Sequence, residues 1–181
     1  MIGLFRTYVR AVDTLNQKIG SVLKYAIILI FFCMGFEIIL RYGLNSPTLW
    51  AGEMTQMVFG VYIILSGGYI LKHGGHVNVD LFTSRLSSRS KAVLDIFTSC
   101  LFFIFSGVMI YFGLSLAWES ISMMETSQSA WNPPIWPLKT MVPLGAVLLF
   151  LQGVSKLIRD IVLAATGEEL SHNDTRQIEN L

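Results

Sequence analysis

Glu37 is the residue whose position demands an explanation first. It sits in an otherwise apolar run, 13 residues on from Lys24. On a helix rising 1.5 Å per residue that is ~20 Å, roughly a third of the way into a bilayer from its outer face. A carboxylate at that depth is costly, so either chemistry or a dedicated partner must keep it there. As a proton-exchange group it would suit a small proton-coupled exporter. As a structural group it would pair with Arg41, four residues later, in the favourable acid-before-base order. Glu53 follows across a short turn built on Asn45, Ser46 and Pro47. A tight hairpin there predicts a Glu37–Arg41–Glu53 cluster, formed within the chain or against a partner subunit. The structural reading is favoured, because the partner is already present at the right spacing.

Other chemistry finds little support. Haem held in a membrane bundle needs two histidines on facing helices. His73 and His76 are three apart in a glycine-broken segment and His172 lies near the C-terminus, so no such pair can form within the chain. His73, His76 and Asp80 together lack a regular zinc-ligand spacing. No Walker, G-x-S-x-G or H-E-x-x-H motif occurs, and nothing resembles a nucleophile with its base. The expectation is neither an enzyme nor a protein with a cofactor. Cys33 and Cys100 both fall in apolar runs without a C-x-x-C pattern and read as packed or lipid-facing thiols.

Four apolar blocks must position these residues. They are 22–44, 50–71, 92–118 and 138–158, each at least as long as the about 20 residues a bilayer-spanning helix needs. Only 14% of the 181 residues are charged, against roughly 25% in a soluble domain. Stretches such as YAIILIFFCMG (25–35) lack the polar face of a soluble amphipathic helix. The fold class expected is therefore an all-α integral membrane protein with four transmembrane helices. A formal charge of +1 gives no electrostatic reason for a nucleic-acid partner.

Basic residues set the sidedness. Arg6, Arg10, Lys18 and Lys24 precede the first span, and Lys72, Arg85, Arg89 and Lys91 lie between the second and third. The other two connections hold only Arg41 and Lys139. The positive-inside rule then puts both termini in the cytoplasm. The first twenty residues lack an apolar core and a small-residue cleavage site, so no cleavable signal peptide is expected. Leu4, Tyr8, Val12, Leu15 and Ile19 recur at helical spacing and predict an amphipathic helix on the cytoplasmic membrane face. Val79, Phe82 and Leu86 predict a second, flat interfacial helix after Gly74 and Gly75. The membrane domain is expected to occupy 1–165, followed by a polar cytoplasmic tail over 166–181. In the connection between spans three and four, Pro133, Pro134 and Pro137 oppose regular helix. Trp118, Trp131 and Trp136 suit the outer membrane interface. Gly60, Ser66, Gly67 and Gly68 would let span two approach its neighbours closely.

A lone transporter of this size lacks the internal repeats and broken helices of a midplane site. The segments RYGLNSPTLWAGE (41–53), GGYILKHGGHVNVDLF (67–82), WESISMMETS (118–127) and NPPIWPLKTMVPLGAVLLFLQG (132–153) instead offer another reading. In order and spacing, over roughly 10–160, they resemble the small, DctQ-like membrane subunit of tripartite ATP-independent periplasmic (TRAP) transporters. HVNVD departs from the HVRVD common in that family, with Asn78 in place of a basic residue. The resemblance implies an accessory subunit of a bacterial inner membrane. It would steady a large membrane subunit that carries the sodium and substrate sites. A periplasmic binding protein would deliver an organic acid. Trp50, Glu53, His76 and Asp80 would be structural or subunit-contact residues, and no residue of this chain would bind sodium.

Overall fold

The computed structural model describes residues 2–74 and 88–166, and the side chains of 5–74 and 90–165. Four long helices account for nearly all of them: α1 (Ile2–Ile38), α2 (Ala51–Lys72), α3 (Ser88–Ser122) and α4 (Trp136–Thr166). Each contains a stretch long and apolar enough to cross a membrane. The described residues hold no strand, only an isolated antiparallel bridge between Thr126 and Pro134. The flat helix predicted around 79–86, with His76 and Asp80, lies outside the described residues, as does the tail from 167.

The helices overrun the apolar blocks at their ends. The 37 residues of α1 rise ~55 Å, well beyond a hydrocarbon core of ~30 Å. Residues 2–21 are helical and run without a break into the first span. Val9, Val12 and Asn16 are buried, whereas Leu15 is 43% exposed. The polar side chains of Asp13 and Asn16 face α4. Burying them is possible because α4 presents matching polar groups. The last turn of α1 widens into a π-helical turn, Ile39–Gly43, closed by the Leu44 N–H donating to the Ile39 carbonyl.

α4 is the hub. It packs against α1, α2 and α3, while α1 also lies along α2, and α3 leans chiefly on α4. Small residues set how closely the helices meet. Gly145 of α4 lies directly on the backbone of Ile64 in α2. A Cβ at Gly113 of α3 would stand 3.2 Å from the Pro143 nitrogen, so the glycine accommodates the one proline within α4. Gly68 of α2 faces the Asn16 side chain, and Gly67 and Gly60 meet Leu149 and Leu138 of α4. Span two therefore uses its small residues as close-contact points, as its composition predicted.

The outer surface is apolar and the interior partly polar. Phe31, Phe97, Leu101 and Tyr111 are all exposed. Only 6% of the most apolar stretch of α3 is buried within the chain. Among the described residues the largest fully buried side chains are Gln152, Asn16, Ser106, Ser120 and Ser155. This inversion follows from the solvent. Lipid tails are as apolar as leucine, so helices are held by close packing and interhelical hydrogen bonds rather than by hiding apolar surface.

Candidate functional site

Glu37 sits in the last turn of α1 proper, just before the π-helical turn. Its carboxylate is clasped from two sides. Arg41 donates to Oε1 through Nε at 3.0 Å and Nη2 at 2.5 Å. Thr48 donates to Oε2 through its backbone N–H at 3.1 Å and also through its hydroxyl. The Thr48 hydroxyl in turn accepts from the Ala51 N–H at 3.2 Å, so it caps the start of α2. The anion thus lies beside the positive end of a helix. The Glu37 side chain is 7% exposed and that of Arg41 is 51% exposed. Both carboxylate oxygens are occupied, Oε1 by Arg41 within the same helical run and Oε2 by Thr48, which ties the end of α1 to the beginning of α2. Trp50 supports the same corner by packing against Phe36, with ring centroids 6.3 Å apart.

Glu53 does not join this clasp, contrary to the predicted three-residue cluster. It lies one turn into α2 and accepts a 2.6 Å hydrogen bond from Ser129 in the α3–α4 connection. Thr48 takes the place assigned to the third partner, because the turn at 44–50 brings its amide and hydroxyl to Oε2. The composition of 44–50 pointed to a turn, but which of its hydroxyls would reach back was not readable from spacing.

The α3–α4 connection is ordered by polar bonds rather than by helix. Ile135 donates to the Glu125 carbonyl and Ser127 to the Pro133 carbonyl, which pairs the two limbs of the loop. Met124, Gln128 and Asn132 adopt positive φ at its bends. Asn132 accepts from the Gln128 N–H, and Ser129 accepts from the Asn132 N–H. Lys139, in the first turn of α4, donates to Glu125 at 2.5 Å. Trp118, Trp131 and Trp136 all fall at this end, with Trp118 the most exposed.

The Lys139 hydrogen bond holds the Glu125 carboxyl below its ordinary value of 4.5. A carboxylate whose pKa is lowered by folding stabilises the fold above its unfolded value and loses that contribution as pH falls through the folded value. The connection is expected to loosen only below about pH 4.5. Tryptophan fluorescence from Trp131 and Trp136 should change in that range, and Glu125→Gln should remove the change. A pH response unaltered by the substitution would disprove the assignment.

A second polar clasp closes the opposite end, and its interhelical partners were missed from sequence. Asn16 of α1, fully buried, donates to Gln152 of α4 at 2.8 Å. Gln152 donates to Asp13 at 2.9 Å, and Arg159 forms an ion pair with the other Asp13 oxygen. Tyr8 donates to the Leu151 carbonyl at 3.2 Å. Lys72, at the end of α2, donates to Gln17 at 2.7 Å. Lys156 bridges Asp95 of α3, at 2.5 Å, and Asp160, at 2.9 Å. These bonds tie the first turns of α1 and α3 to the last turns of α2 and α4. The available signal was the polar spacing 152, 155, 156, 159 and 160 on α4, which repeats every three or four residues as one helix face.

Among the described residues no group of three His, Cys, Asp or Glu side chains converges as a metal site. His73 packs on the Tyr69 ring, with centroids 4.3 Å apart. The arrangement suits holding helices in register. Residues 30–163 match the family described as tripartite ATP-independent periplasmic transporters, DctQ component. No curated protein matches the chain.

Proposed function

The chain belongs to the DctQ component family of tripartite ATP-independent periplasmic transporters, and on that premise we propose that it is the accessory scaffold subunit of a sodium-coupled importer of organic acids. It is a multi-pass membrane transport component, and membership in a tripartite system implies partner subunits. In this reading it lies in the bacterial inner membrane with both termini in the cytoplasm. The large partner subunit carries sodium and substrate, and a periplasmic binding protein delivers the substrate. The Glu37 and tryptophan end of the bundle faces the periplasm. Its loops, with Trp50, Glu53 and Ser129, contact the binding protein or the large subunit, and His76 and Asp80 contact the large subunit on the cytoplasmic side.

The observation that carries a scaffold role is the state of Glu37. A proton-exchange carboxylate must be released and re-bound during each cycle. Here both oxygens accept bonds: Arg41 holds one within the same helical run, and Thr48 holds the other and so joins the end of α1 to the turn that begins α2. Breaking them each cycle would open the corner that the residue closes. The alternative of a small proton-coupled exporter is disfavoured on the same ground.

The test is reconstitution in proteoliposomes with a sodium gradient and a panel of labelled carboxylates. Uptake is expected only when this chain, the large subunit and the binding protein are all present. Uptake by this chain alone would overturn the accessory reading. Undiminished uptake without it would overturn the claim that transport requires it.

A further inference from the structure

A small cleft of about 160 Å³ opens between α2, α3 and α4 at the end away from Trp136. Its polar side is formed by Asp95, Thr98, Lys156 and Asp160, and its apolar side by Leu71 and Phe102. Lys156 follows Trp136 by 20 residues on one helix, a rise of ~30 Å. If Trp136 marks one membrane interface, the cleft lies at the level of the other, where headgroups meet acyl chains. The volume is well below the roughly 300–1,000 Å³ of sites for drug-sized molecules.

The cleft has unused hydrogen-bonding capacity of one kind. Lys156 donates to Oδ2 of Asp95 and to Oδ2 of Asp160. Among the described residues no hydrogen bond engages Oδ1 of either. Thr98 and Ser99 spend their hydroxyl protons on backbone carbonyls of their own helix, which leaves their oxygens as acceptors. The charged groups lining the cleft, one lysine and two carboxylates, sum to −1, and neighbouring Arg159 is paired with Asp13. Such a site takes a small cation that brings several N–H donors. One N–H of Lys156 remains for an anionic group beside that cation. The apolar wall of Leu71 and Phe102 suits the carbon chain attached to such a head.

We propose that this cleft seats the headgroup of an ethanolamine phospholipid, with its primary ammonium between Asp95 and Asp160 and its phosphate toward Lys156. A choline headgroup has no N–H to offer, and a glycerol headgroup brings hydroxyls but no cation to offset the negative cleft. The site selects the lipid by its protons as much as by its charge. A lysine from a partner subunit would offer the same ammonium, but it would bring no phosphate for Lys156 and no acyl carbon for the apolar wall.

The experiment uses the purified, delipidated full chain and native mass spectrometry. The lipids are phosphatidylethanolamine, its N-methyl and N,N-dimethyl derivatives, phosphatidylcholine and phosphatidylglycerol, all with the same acyl chains. Affinity should fall stepwise with methylation, by about tenfold across the series, as charge-assisted hydrogen bonds are removed. Phosphatidylglycerol should bind no better than phosphatidylcholine. Asp95→Asn and Asp160→Asn should flatten the series. Because both carboxylates also hold Lys156, the methylation series on the unaltered chain stands as an independent measurement. Gly153→Ala, whose new Cβ would displace the Phe102 ring that lines the cleft, should weaken ethanolamine binding while leaving every charge in place. Equal affinity along the series, or a preference for phosphatidylglycerol, would overturn the proposal. So would ethanolamine binding that appears only with the large subunit present.

Discussion

Gly145→Ala should force α2 and α4 apart and lower the melting temperature of the purified chain by roughly 4–10 °C. A Cβ at residue 145 would stand 2.5 Å from the Ile64 Cγ2 and 2.6 Å from the Ile64 carbonyl oxygen. A side chain can rotate away from such a contact. A carbonyl held in a helical ladder cannot, so relief must come from moving a whole helix. Overpacking of that kind costs about 1–3 kcal/mol. Because α4 is the element that α1, α2 and α3 all share, its displacement from α2 should also strain the Asn16–Gln152 clasp. Gly107 in α3 is the matched control, since a Cβ there meets nothing within 4 Å. Gly107→Ala should leave melting unchanged or raise it slightly, through better helix propensity. Equal melting of the two variants would show that the Gly145 contact does not limit packing.

Glu37→Gln should sharply reduce the yield of folded chain and of assembled transporter, while leaving the sodium dependence of whatever complex remains unchanged. An amide keeps the shape of the carboxylate but turns one acceptor into a donor. That donor would face either Arg41 or the Thr48 amide and hydroxyl, all of which donate to the native carboxylate. Arg41→Ala should be milder, because the half-exposed arginine is the readily solvated member of the pair. Thr48→Val should resemble Glu37→Gln, since it removes both the hydroxyl bond to Glu37 and the cap on α2. Yield is read by size-exclusion chromatography, and sodium dependence by uptake in proteoliposomes. Normal yield with altered sodium affinity would instead place Glu37 in the transport cycle.

The two variants probe different layers of the same chain. Gly145 tests whether apolar helices without a hydrophobic driving force depend on close backbone approach. Glu37 tests whether the polar corner between α1 and α2 is a fastener. Asp13, Asn16, Gln152 and Arg159 make the corresponding fastener at the other end. Both ends need holding, because the apolar side chains exposed along α3 and α1 gain no hydrophobic driving force in lipid.

The four helices were legible in the sequence because crossing a bilayer imposes a length and an apolar composition on contiguous residues. The Glu37–Arg41 pair was legible for a similar reason, since four residues on a helix is one turn. Small residues in span two announced close contact, though not with which helix. Tertiary structure decided the rest. Thr48 rather than Glu53 completes the Glu37 clasp, and Ser129 claims Glu53 from 76 residues away. The first turns of α1 present Asn16 and Asp13 to α4, a pairing that helical periodicity alone does not name. A period along one helix reports that a face differs from the others. It does not report whether lipid, water or another helix lies opposite, because that is settled by partners more than a hundred residues away.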